Sequence, residues 1–188
     1  MRAARGRCSV VAVAGLIALV SVAACSSGDD DDAAADVTLP EAPADCVARQ
    51  PELRVDLIDT AIERVEAALG GPQQYFEINA TDLLVNLFVS VEDGTMVKPY
   101  VFLQDELNSR DPEAAQGNTF DASSIDFDAQ TVTSCVTDEL PESRVTAFEI
   151  IADAQGTPQY SIVTTSAQGG QLIVAVNGDG QVLSVDPV

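Results

Sequence analysis

The sequence predicts an α+β fold in which helices precede antiparallel strands, and three patterns carry that expectation. Apolar residues at Val55, Ile58, Ala61, Ile62, Val65, Ala68 and Leu69 recur at i, i+3, i+4 and i+7, the stripe of an amphipathic helix. Leu83, Val85, Leu87, Val89 and Val91 alternate strictly, which in an extended chain puts all five on one face. From Val145 onward, β-branched runs are separated at short intervals by glycine-bearing turns, the pattern of an antiparallel meander.

The first helix carries Asp59, Glu63, Arg64 and Glu66 on its polar side and stops at Gly70-Gly71-Pro72. Gln74 to Asn79 is aromatic and alternating, a strand. The alternating run to Val91 follows, expected to be buried beneath the helix because each has one apolar face and the two need each other. Glu92-Asp93-Gly94-Thr95 reads as a hairpin turn, and Met96 to Phe102 returns. Pro99 has no N–H to donate, which predicts an edge strand or a bulge there. Gln104 to Thr119 is rich in Asp, Asn, Glu and Gly and reads as a long surface loop. Phe120 to Phe127 is a short extended piece. Asp128 is placed to cap a second helix through Val132, Val136 and Leu140, although its threonines lower the propensity, and Pro141 ends it. Strands are expected over Val145 to Ala152, Gln159 to Thr165, Gln171 to Val176 and Gln181 to Asp186. Turns at Gln155-Gly156-Thr157-Pro158, Gly169-Gly170 and Asn177-Gly178-Asp179-Gly180 join them.

Helix then antiparallel strands thus occurs twice, in 45–103 and in 120–188. The expectation is two helix-then-strand units packed as one domain over 45–188. A shift of 86 positions aligns Thr60, Ala61, Glu63, Ala68, Gly70, Pro72, Gln73, Asp93 and Gly94 with Thr146, Ala147, Glu149, Ala154, Gly156, Pro158, Gln159, Asp179 and Gly180. That register would make 145–154 helical. Val145, Thr146, Phe148, Ile150 and Ile151 favour a pleated strand instead.

This order of elements resembles small exported bacterial modules of the PepSY type and the tandem architecture of the β-lactamase inhibitor protein family. In both, a helix packs on an antiparallel sheet. The resemblance covers most of Val55 to Asp186 as element order, without a diagnostic motif. It implies protein binding or inhibition without catalysis.

The N-terminus carries a second resemblance. Arg2, Arg5 and Arg7 precede an apolar run from Val10 to Val22, which ends in Val22-Ala23-Ala24-Cys25. This resembles a bacterial lipoprotein signal closed by its lipobox. The resemblance implies removal of 1–24, acylation of Cys25, and a lipid anchor on the extracytoplasmic side of the cell membrane. The apolar run is shorter than the roughly 20 residues of a spanning helix, and Asp29 to Asp32 follow it closely. Residues 25–44 then read as a disordered acidic linker. As a random coil its 19 residues after the cysteine would span roughly 25 Å.

Removal of the signal leaves six basic residues against thirty acids, a formal charge of −24. Nucleic acid and anionic headgroups need clustered Lys and Arg, so neither is an expected partner. A single lysine against eight arginines, with abundant Ala, Val and Asp, points to a high-GC genome; with the lipobox the chain resembles an actinobacterial envelope protein. Of four cysteines, Cys8 leaves and Cys25 takes lipid. Cys46 and Cys135 remain, an even pair in an oxidising compartment, and are expected to form a disulfide.

Histidine is absent, which removes Ser-His-Asp and Cys-His catalysis and most zinc sites. Lys98, the one lysine, has no Ser-x-x-Lys pattern near it. Asp121, Asp126 and Asp128 cluster, but an EF-hand counted from Asp121 has Asp126 where glycine belongs and Val132 where glutamate belongs. Glycine-rich phosphate loops are missing. No enzyme, cofactor or metal is expected. The expected function is a non-catalytic module that binds an envelope protein. The alternative is a carrier of lipid or another apolar ligand, with a cavity between helices and sheet.

Overall fold

The computed structural model describes Cys46 and residues 52–188. The expected signal peptide, the Cys25 lipidation site and the 25–44 linker lie outside the described residues. Within them the chain is α+β: one N-terminal helix, a ten-stranded antiparallel sheet, and a short second helix.

A 3-10 turn at Arg54–Leu57 leads into helix α1, Ile58–Leu69. Ile58, Ala61 and Val65 are fully buried and Ile62 nearly so. The apolar stripe runs past the sheet at its last turn, where Ala68 and Leu69 are exposed. Gly70 closes the helix in the left-handed region, with its N–H bonded to the Glu66 carbonyl at 2.8 Å. Glycine meets that conformation without a Cβ penalty.

Strands β1 (Gln74–Ala80), β2 (Val85–Val91), β3 (Met96–Leu103) and β4 (Glu106–Ser109) form a meander, with β5 (Glu113–Ala114) also on β3 and β6 (Phe120–Asp121) on β1. After helix α2 (Ser134–Glu139) a second meander follows: β7 (Ser143–Ala152), β8 (Pro158–Ser166), β9 (Gln171–Val176) and β10 (Val182–Pro187). The sheet order is β10-β9-β8-β7-β1-β2-β3-β4. The expected two helix-then-strand units, packed as one domain, are corrected in one respect: they are not two distinct units, because all ten strands belong to one sheet. The first strand of each meander pairs with the other, Ile78 opposite Ile150 and Ala80 opposite Phe148, all fully buried. Ile78 against Ile150 and the small Ala80 against the large Phe148 pack the seam into one shared core.

One face of the sheet is covered. Helix α1 packs on β2 and β4, above Val85, Leu87, Val89 and Phe102. The segment from Ala122 to Leu140 covers the other half. Phe127 packs at a tilt against Phe148 (5.1 Å between ring centres) and edge-on against Tyr160 (5.8 Å), and Val132 and Val136 are fully buried.

Several local expectations change. Leu83 was expected on the buried face, but it is 66 % exposed. Thr81 explains it: its Oγ1 accepts the Leu83 and Leu84 N–H groups, and its own N–H donates to the Leu84 carbonyl. That tight turn delays the strand to Val85 and leaves Leu83 outside the alternation. Pro99 sits neither on the sheet's edge strand nor at a bulge. Its carbonyl accepts the Arg110 N–H, so its donorless nitrogen points to the same side. There β4 pairs only from Tyr100 onward and β5 only with Met96 and Val97, so Pro99 occupies the gap between them. The expected loop over Gln104 to Thr119 holds β4 and β5. Helix α2 begins at Ser134 instead of after Asp128, whose carboxylate accepts the Gln130 N–H in a local turn. Such side-chain bonding competes with helix and delays its start. Residues 145–154 do not form a helix; β7 runs to Ala152, so the strand preference prevails over the 86-residue register.

Candidate functional site

Cys46 and Cys135 form a disulfide, with Cα atoms 5.0 Å apart across 89 positions of sequence. It ties the start of the described chain to α2, a helix of six residues too short to persist alone. The Asp cluster serves the local backbone. Asp121 accepts the Ser123 N–H at 2.8 Å, and hydrogen bonding from Ser123, first from its side chain and then from its N–H, lowers the Asp121 carboxyl pKa. The Asp126 N–H donates to the Tyr160 hydroxyl at 2.8 Å. Among the described residues, no group of three or more His, Cys, Asp and Glu side chains forms a metal-ligand cluster. Lys98 lies with its Nζ 5.3 Å from the Tyr100 ring.

Among the described residues, no helix lies on the sheet's second face. Strand register arranges it in two rows perpendicular to the strands. The first runs Pro99, Phe88, Glu77, Ile151, Gln159. The second runs Val101, Asn86, Asn79, Glu149, Ser161, Ala175. Glu77 and Glu149 are thus diagonal neighbours across the β1–β7 seam, their Cα atoms about 7–8 Å apart by the geometry of such pairs.

Neutral donors orient both carboxylates. Asn79 donates to Glu77 at 2.6 Å, and Asn86 donates to Asn79 at 2.7 Å, which fixes the Asn79 amide. Ser161 sits 3.5 Å from the Glu149 carboxylate. Burial, and then the charge of Glu77, push the Glu149 carboxyl above its ordinary value. Among the described residues, ion pairs join Arg54 to Asp56 and Arg144 to Asp82, and no basic side chain pairs with Glu77 or Glu149.

Beside the two carboxylates the chain crosses this face on its way from β5 to β6. Gly117 passes over the Phe76 ring, where an added Cβ would sit 3.7 Å from the ring edge. Beneath the Ala115–Asn118 strap lies an open recess of about 310 Å³, walled by Phe76, Phe88, Val97 and Ile151 and reaching Glu77. Phe76 and Phe88 are half-buried, and Ile151 is 44 % exposed. Apolar walls next to two oriented anions can take a cation attached to an apolar body.

Glu77, Glu149, Phe76 and Phe88 were not singled out from the sequence as site residues. The available signal was the polar half of each alternation, Glu77 and Asn79 between core residues, and likewise Glu149 and Ile151. One strand's alternation does not name the strand beside it. No protein-family model matches the chain, and no curated protein or solved structure matches it.

Proposed function

We propose that this protein is a membrane-anchored extracytoplasmic lipoprotein whose α+β domain binds another envelope protein without turnover. The observation that carries the reading is the sheet face that no described helix covers, with its apolar recess and partly exposed Phe76, Phe88 and Ile151. A half-exposed apolar surface rimmed by polar residues is characteristic of an interaction site. The core between α1 and the sheet supports binding over carriage: Ile58, Ala61, Val65, Leu87 and Phe102 fill it, all without solvent exposure. A carrier needs an apolar cavity in that place, whereas the recess opens on the opposite face. The lipobox at Cys25 supports the anchor and the address.

In-cell crosslinking of the full-length protein, with mass spectrometry of the captured species and native lipid extraction in parallel, tests the reading. A specific protein adduct without co-purifying lipid is expected. Stoichiometric bound lipid with no protein adduct would establish a carrier instead. Fatty-acid labelling should be lost in Cys25→Ala; equal labelling there would refute the anchor.

A further inference from the structure

We infer that the open sheet face docks a segment of a partner protein bearing an arginine or lysine beside an apolar side chain, with the cation between Glu77 and Glu149 and the apolar group in the Phe76–Phe88 recess. The inference rests on the protein-binding reading above and names the partner's chemistry.

Charge complementarity decides the occupant. The two glutamates are held on the same face of adjacent central strands, and every hydrogen-bonding neighbour on that face is neutral: Asn79, Asn86 and Ser161. Each donates to or orients a carboxylate without cancelling its charge. Repulsion from Glu77 is part of what raises the Glu149 carboxyl. A cation seated between them relieves that repulsion and gains two charge-assisted hydrogen bonds. A guanidinium or ammonium on a long side chain spans the diagonal, and its methylene stem lies along Ile151 and Phe88.

The other occupants meet an electrostatic cost. A second copy of the chain brings its own glutamates to the same face, on a body of formal charge −21, or −24 once residues 1–24 are removed. The chain's own residues 26–44 include Asp29 to Asp32 and no basic side chain. A fatty acyl chain would leave two partly buried carboxylates facing hydrocarbon.

A photocrosslinking amino acid at Ile151, in the full-length protein in cells that make it, tests the inference, with the same probe at the exposed Leu69 as an off-face control. The expected result is an Ile151 adduct whose captured peptide carries Arg or Lys within a few residues of the crosslink. Glu77→Gln with Glu149→Gln should lower that adduct at least about tenfold, with the far-ultraviolet circular dichroism unchanged. The Leu69 probe should not capture that peptide. An adduct unchanged by the double substitution overturns the inference. So does an Ile151 adduct to lipid or to a second copy, and so does capture of the partner only through Leu69, which leaves the protein-binding reading standing. Capture of no protein from either position, with stoichiometric lipid in the extract, overturns both.

Discussion

The turn at Asn177–Gly180 is wedged against the segment that covers the second half of the sheet, and two glycines allow that contact to be measured. Gly180 has φ +83, and a Cβ built on it would lie 2.5 Å from the Thr131 carbonyl oxygen and 2.8 Å from the Val132 Cα. Gly169 has nearly the same φ, +87, but nothing within 4 Å of its Cβ position. Alanine at Gly169 therefore incurs only the left-handed backbone penalty, about 1 kcal/mol. Alanine at Gly180 incurs the same penalty plus overpacking against backbone that cannot swing away, about 1–3 kcal/mol more. For a domain of this size that corresponds to a fall in Tm of about 3 °C for Gly169→Ala and about 6–12 °C for Gly180→Ala. Thermal unfolding of the two variants, followed by circular dichroism under oxidising conditions, reads the difference. Equal shifts would show that the turn does not press on Thr131 and Val132, and the packing described for the Ala122–Leu140 segment would be wrong.

Three further outcomes are expected. Replacing Cys46 and Cys135 with alanine frees a loop of 89 positions and should cost about 4–5 kcal/mol in the chain-entropy model; an unchanged urea midpoint would exclude the crosslink from the native protein. Leu87→Ala should cost about 2–5 kcal/mol, because Leu87 is fully buried between Ile78 and Tyr100 on the covered face, whereas Leu83→Ala in the exposed turn should stay within about 0.5 kcal/mol. If the two cost the same, the register of β2 is misplaced. Glu149 has a raised folded-state pKa, so its ionisation burdens the folded state as pH rises through the ordinary value of 4.5 and beyond. Glu149→Gln should then stabilise the protein at pH 7, with the gain shrinking as pH falls toward 4, and a gain equal at both pH values would place the carboxylate in open water.

Short-range physics made much of this chain legible. The 3.6-residue period of 58–65 needs one apolar surface, and a 2-residue period needs the other, so helix and strands are recoverable from spacing alone. The turns at Gly70, at Glu92 to Thr95 and at Asn177 to Gly180 are equally local, because residues that tolerate positive φ mark them. The cysteine pair was recoverable by counting, since the expected signal and lipidation would set aside Cys8 and Cys25 and leave Cys46 and Cys135.

What spacing left undetermined was adjacency. Strand order depends on which backbone edges meet across some 70 residues, and the pairing of Ile78 with Ile150 leaves no trace in either strand's own alternation. The expectation of two distinct helix-then-strand units within the domain failed there. Leu83 failed for a nearer cause: one hydroxyl, Thr81 Oγ1, holds two N–H groups in a turn and takes the residue out of a perfect alternation. Pro99 was placed by a gap between two short strands that the loop-like composition of Gln104 to Thr119 concealed. The open face is the same problem in its functional form. Glu77 and Glu149 read as ordinary solvent-side residues of two distant strands, and only the β1–β7 seam makes them neighbours. Helix, strand and turn preferences act within a few residues, while the charge pair and the recess beside it exist only once the two meanders share one sheet.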